Sequence, residues 1–205
     1  KNRILKMKIF DKKILNIVRD PIIDHKRINK LKKEKIESKF LNKSYFVSIG
    51  RLTEQKNFIF LAKCINQIIK KKKNFLFLII GEGNDRIKIE RYIKEFSLSK
   101  YIILTGYKKN IFKYISCSSG LICTSLWEEP GFVIQEAAAC KKIILTSDCY
   151  TGPAEFINYG KNGYVFKSNN QKSFIKNFDL IINKKKEHIN KINQSYNNTN
   201  LYTKE

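Results

Sequence analysis

An arginine and a lysine stand five residues apart in the stretch Gly50, Arg51, Leu52, Thr53, Glu54, Gln55, Lys56, Asn57. A guanidinium grips an anion through two parallel hydrogen bonds and an ammonium adds a compact charge, so the pair can converge on one phosphate. A helix starting just after them would add backbone N–H donors. A solvated turn of the same composition is the other account. Gly81, Glu82, Gly83 and Asn84 supply two of the three glycines of a dinucleotide fingerprint; close backbone approach to a ligand and a plain tight turn both explain them. Gly106, Tyr107, Lys108 and Lys109 follow a further apolar run and are as unspecific. The richest stretch is Ser125, Leu126, Trp127, Glu128, Glu129, Pro130, Gly131, Phe132, Val133, Ile134, Gln135, Glu136, Ala137, in which seven residues separate Glu128 from Glu136. Pro130 and Gly131 break the chain before a helix, which puts one carboxylate in a loop and the other in the helix's early turns, both able to reach one pocket. Carboxylates accept paired hydrogen bonds from vicinal hydroxyls. Capping of the helix is the alternative, although Glu136 lies past the best position for it.

These loops need elements to hold them. From residue 44 onward, short apolar runs at 45–49, 75–80, 101–104, 120–123, 143–145 and 164–166 alternate with amphipathic stretches. Runs this continuous, rich in Ile, Phe and Val, predict strands buried on both faces of a parallel sheet. Between them Phe58, Leu61, Ala62, Ile65, Ile68 and Ile69 keep helical spacing, with noisier helices predicted at 87–96, 111–116 and 133–140. The pattern predicts an α/β chain with a Rossmann-like, doubly wound parallel sheet, whose ligands bind in loops beyond the strand C-termini. Residues 1–43 read as a basic linker with a helix near 25–38, residues 44–169 as the ligand-binding domain, and 170–205 as a helix at 169–183 followed by a polar, Asn-rich tail expected to fray or to depend on a missing neighbour.

The net charge is +23, of which residues 1–45 carry +10 and residues 167–205 carry +5. Attraction to an anionic membrane or nucleic acid is one reading; a chain-wide lysine bias giving solvated faces such as 70–73 is the other. Nucleic acid is disfavoured, because the aromatic residues fall in the apolar runs and no nucleic-acid motif is present. No run of apolar residues approaches the length of a transmembrane helix, and the basic start at 1–13 lacks a secretory core, so a cytoplasmic domain is expected. Cys64, Cys117, Cys123, Cys140 and Cys149 form no Cys-x-x-Cys pair and read as reduced packing residues. With only His25 and His188 besides them, no metal centre and no cofactor is expected.

Residues 45–166 resemble the C-terminal domain of GT-B-fold glycosyltransferases of the large retaining family four, glycosyl transferases group 1. The resemblance rests on GRLTEQKN after the first run, the Gly-x-Gly turn, LTGY, the paired glutamates of EEPGFVIQE, and SDCYTGPAEFI, in that order. It implies one half of a GT-B fold and transfer of a sugar, with retention, from a nucleotide diphosphate donor, expected to be UDP-linked. It also implies roles. Arg51 and Lys56 would hold the donor diphosphate in place of a metal, Glu136 the ribose hydroxyls, and Glu128 the transferred sugar. Backbone at Gly131, Phe132 and Val133 would meet sugar hydroxyl or phosphate, the backbone near Tyr107 the base, and Gly50, Gly81 and Gly83 would shape the donor loops. The family often has Glu-Gly-Phe-Gly where this chain has Glu-Glu-Pro-Gly-Phe-Val, which leaves the role of Glu129 open.

Family members carry a second Rossmann-like domain that supplies the acceptor site. The resemblance of Asp20, Pro21, Ile22 and Ile23 to the interdomain connection implies that an N-terminal acceptor domain acts with this one, in cis or in trans. The acceptor expected by analogy is a glycan or lipid-linked glycan, with peripheral contact at the inner face of a cell membrane. A noncatalytic nucleotide-sugar-binding remnant and a basic nucleic-acid-binding protein are the rival readings.

Overall fold

A computed structural model describes residues 18–41, 43–71, 75–149 and 152–203. The expectations for residues 1–17, for Lys72 and Lys73, and for Tyr150 and Thr151 lie outside this set. Among the described residues, six parallel strands form one sheet: β1 (Tyr45–Ile49), β2 (Leu76–Ile80), β3 (Ile102–Gly106), β4 (Gly120–Cys123), β5 (Ile144–Ser147) and β6 (Tyr164–Phe166). Their order is β3-β2-β1-β4-β5-β6, the doubly wound arrangement of nucleotide-binding folds.

The strand sequences are almost wholly apolar because both sheet faces are covered. Successive side chains point to opposite faces, so Phe46 and Phe77 enter one core while Tyr45, Val47 and Leu78 enter the other. The first core lies under α2 (Phe58–Lys71), α3 (Arg86–Glu95) and α7 (Gln171–Asn183). Phe178 of α7 anchors it, with ring centroids 5.0, 5.6 and 5.8 Å from those of Phe46, Phe75 and Phe77. Asn170 caps α7 by accepting a hydrogen bond from the Ser173 N–H at 2.8 Å. The second core lies under α1 (His25–Leu31), α4 (Phe112–Cys117), α5 (Phe132–Ala139) and the short α6 (Pro153–Phe156).

Within residues 18–41, Ile23, Ile28, Ile36 and Phe40 are all buried in the second core. An ionic contact pins the same segment. The Glu37 carboxylate accepts hydrogen bonds from the Tyr114 hydroxyl at 2.6 and 2.7 Å and from Lys108 at 2.9 Å. Burial pushes this carboxyl up, but the bonds from Tyr114 and Lys108 outweigh burial and hold it down at about 2.

The polar tail departs from its expectation. It forms α8 (Lys185–Asn198) and a 3-10 turn at Thr199–Tyr202. Ser195 and Thr199 are buried, Asn198 donates to the Phe156 carbonyl at 2.9 Å, and the Lys141 ammonium lies 4.5 Å from the Tyr196 ring centroid. The chain end then returns to its beginning, with Ile23 N–H donating to the Tyr202 carbonyl at 2.9 Å. A helix with few apolar residues is held here by side chains that reach other elements. Four cysteines are buried, whereas Cys117, at the end of α4, is exposed. No described helix is long and apolar enough to cross a membrane.

Candidate functional site

The strand order reverses between β1 and β4, so the segments leaving their C-terminal ends turn to opposite faces and leave a crevice between them. Here the two loops are tied across it. Leu126 N–H donates to the Gln55 carbonyl at 2.8 Å, Gln55 Nε2 to the Trp127 carbonyl at 3.0 Å, and Thr124 Oγ1 to the Lys56 carbonyl at 2.9 Å. Lys56 and Glu128, 72 positions apart, form an ion pair at this junction. Glu128 is buried, at 4% exposure, and accepts a further hydrogen bond from Ser125 Oγ at 2.5 Å. Ser125 is fixed in turn, because Ser147 Oγ at the end of β5 donates to its carbonyl at 2.6 Å. A buried carboxylate is stable in this way only when cation and hydroxyl answer it.

Arg51, expected beside Lys56, is exposed, and its guanidinium meets no hydrogen-bond or ionic partner among the described residues. The two cations are thus arranged unequally: Lys56 is committed to Glu128 and Arg51 is open. A Cβ on Gly50 would lie 3.1 Å from the Lys56 side chain, so glycine leaves the room that chain uses to cross towards Glu128.

Glu136 sits in the second turn of α5 and is half-buried. Burial pushes its carboxyl up from 4.5 to about 7. Capping does not account for it, since Gly131 is the N-cap, at φ 78°, and no side chain caps the helix. The first amides of α5, at Gly131, Phe132 and Val133, therefore lie at the open end of the helix without a side-chain partner among the described residues.

Gly81 and Gly83 have an explanation inside the chain. A Cβ on Gly81 would fall 1.9 Å from the Gly50 carbonyl oxygen, and one on Gly83 would fall 2.5 Å from that of Leu52. The loops after β1, β2 and β3 are laced together there: Gly50 N–H donates to Ile80, Leu52 N–H to Glu82, and Gly81 N–H to Gly106, at 3.0, 2.8 and 3.0 Å. The glycine pair buttresses the Arg51 loop from behind. Tyr107, just past β3 at the sheet edge, is 75% exposed. The structure thus joins Lys56 to Glu128 directly, sets Glu136 and the amides on the adjoining helix, and leaves Arg51 and Tyr107 unattached on neighbouring loops. Ser125, Thr124 and Gln55 had no role in the sequence reading; polar side chains directly after a buried strand were the available signal.

The family model for glycosyl transferases group 1 matches residues 29–198. The chain belongs to this family. It is 31% identical over 135 residues to an uncharacterized glycosyltransferase of Methanocaldococcus jannaschii, a match covering 64% of this chain and 33% of that protein. A variant of Staphylococcus aureus TarM, solved with fondaparinux, α-GlcNAc-glycerol and UDP, superimposes with a TM-score of 0.72 at 24% identity, over 80% of this chain and 34% of its own. The C-terminal domain of a glycosyl transferase group 1 family protein (LpcC) from Francisella tularensis superimposes with a TM-score of 0.71 at 21% identity, over 92% of this chain and 97% of its own. The chain thus spans about a third of the archaeal relative and has the fold of an isolated C-terminal half of a GT-B enzyme.

Proposed function

We propose that residues 44–169, buttressed by the segments on either side, are the donor-binding half of a glycosyltransferase that takes a sugar from a UDP-linked donor and transfers it, with retention, to a glycan or lipid-linked acceptor. The observation that carries this reading is the Lys56–Glu128 pair bridging the loops at the strand-order switch, next to the uncapped start of α5. The TarM variant holds UDP in a protein of the same fold, which supports the choice of nucleotide.

In this reading the donor diphosphate lies over the α5 N-terminus. Lys56, with two N–H groups beyond the one given to Glu128, and the open Arg51 face it. As the bond from the anomeric carbon to the diphosphate breaks, negative charge grows on the leaving oxygens, and cations already fixed in place stabilise it without reorganising. Glu128 holds the ammonium on station and meets the transferred sugar. Glu136 accepts from the two ribose hydroxyls, and the backbone past Gly106 meets the base. An N-terminal domain closes the crevice and presents the acceptor. Calorimetric titration of UDP into the wild type and into Arg51→Ala/Lys56→Ala tests the assignment: the double variant is expected to show no measurable binding, and undiminished binding would overturn it.

A further inference from the structure

A cavity of about 410 Å³ opens beside the loop that carries Glu128, with Glu129 and Pro130 on its wall. Its volume lies in the range of small-ligand sites, roughly 300–1,000 Å³. Gln135 of α5, Phe156 of α6 and Tyr202 line it together with Asp20, Glu129 and Glu155, and Arg19 completes the rim. Gln135 is 99% buried by its 1% exposure, yet its side-chain Oε1 has no hydrogen-bond partner among the described residues. Such a group destabilises a folded chain unless something outside the chain answers it. The cavity wall is tightly packed where it meets the loop that follows Glu128: a Cβ on Gly152 would stand 2.6 Å from the Pro130 carbonyl oxygen, and both residues line the cavity.

The chemistry of the lining selects a ligand. In a chain of net charge +23, this wall presents three carboxylates against one guanidinium, which disfavours a phosphate. No group of three or more acidic or other ligating side chains among the described residues is placed to hold a metal ion. Spaced carboxylates accept from hydroxyl groups, a primary amide both donates and accepts, and the Phe156 and Tyr202 rings, 5.5 Å apart edge to face, give an apolar surface for the C–H face of a ring. Gln135 directly precedes Glu136 on α5, and adjacent helical residues point about 100° apart, so Gln135 lines this cavity while Glu136 is not among its lining residues.

We propose that this cavity is a subsite for a neutral saccharide ring of the acceptor, held by the Gln135 amide and the Glu155 carboxylate. It builds on the donor assignment above and places part of acceptor recognition in this half of the enzyme.

The test uses the 205-residue chain, with α-methyl glucoside, α-methyl galactoside and α-methyl N-acetylglucosaminide as probes. Each is titrated with and without UDP while the Gln135 side-chain amide is followed by proton–nitrogen NMR and identified by its disappearance in Gln135→Leu. At least one glycoside is expected to shift that amide. Gln135→Leu and Glu155→Gln should each weaken this glycoside about tenfold, leave UDP affinity within twofold, and leave the urea midpoint equal or, for Gln135→Leu, higher. The proposal is overturned if no glycoside shifts the amide, if both variants bind the glycoside as well as the wild type does, or if UDP displaces the glycoside. Loss of UDP binding by the wild type would instead refute the donor reading, while the titrations without UDP still decide this one.

Discussion

Glu136 is a carboxylate kept half-buried with its ionised form disfavoured, and Glu136→Gln separates the cost of that from its use. Its carboxyl titrates at about 7 when folded against 4.5 when unfolded, so between those values the folded chain binds more protons. Stability therefore falls as pH rises through the window from 4.5 to about 7, and the full penalty stands above it. A shift of this size corresponds to about 3 kcal/mol, and partial exposure reduces it to about 2 kcal/mol. Glutamine avoids the penalty. Urea unfolding should show the variant more stable than the wild type by about 2 kcal/mol above pH 8, with the gap closing near pH 4. UDP affinity should move the other way, falling roughly ten- to a hundredfold, because charge-assisted hydrogen bonds to the ribose contribute about 1.5 to 3 kcal/mol. A variant equally stable at both pH values, or one binding UDP as well as the wild type, would refute the argument that the carboxylate is retained for a ligand.

Gly81→Ala forces a Cβ onto the Gly50 carbonyl oxygen and should cost about 3 to 5 kcal/mol by urea denaturation; a loss under about 1 kcal/mol would show that the loops can slide apart. Glu37→Gln should destabilise by about 1 to 2 kcal/mol at neutral pH after allowance for solvent screening. Because this carboxyl is depressed to about 2, its contribution is present above the unfolded value of 4.5 and is lost as pH falls towards 2, so a difference that persists at pH 2 would contradict the ion-pair origin. Sugar transfer should appear when this chain is joined to an N-terminal acceptor domain and be absent from residues 1–205 alone; transfer at ordinary enzyme rates by the chain alone would contradict the two-half mechanism.

Much of this fold was legible in the apolar runs, because a sheet covered on both faces leaves few polar positions in its strands. The strands expected at 101–104 and 143–145 run on to Gly106 and Ser147, since the last polar residues of each still pair with a neighbour. The tail follows a different logic: the polar helix Lys185–Asn198 is held by Tyr196, whose ring meets the Lys141 ammonium, and by Asn198, which donates to the Phe156 carbonyl, whereas periodicity records only apolar stripes. At the site, the seven-residue spacing and the break at Gly131 placed Glu136 on the helix after the loop. The partnership of Lys56 with Glu128 was hidden by the 72 positions between them. Gly81 and Gly83 stand where the chain crosses itself, a demand that the glycine pattern could not separate from close approach to a ligand.

The central claim is that a nucleoside diphosphate lies across the junction between the loops after β1 and β4. A crystal structure of the chain with UDP tests it most directly. The diphosphate is expected within hydrogen-bond reach of Lys56, Arg51 and the first amides of α5, with both ribose hydroxyls on Glu136. Uridine density anywhere else, with the Lys56–Glu128 pair unvisited, would contradict the account.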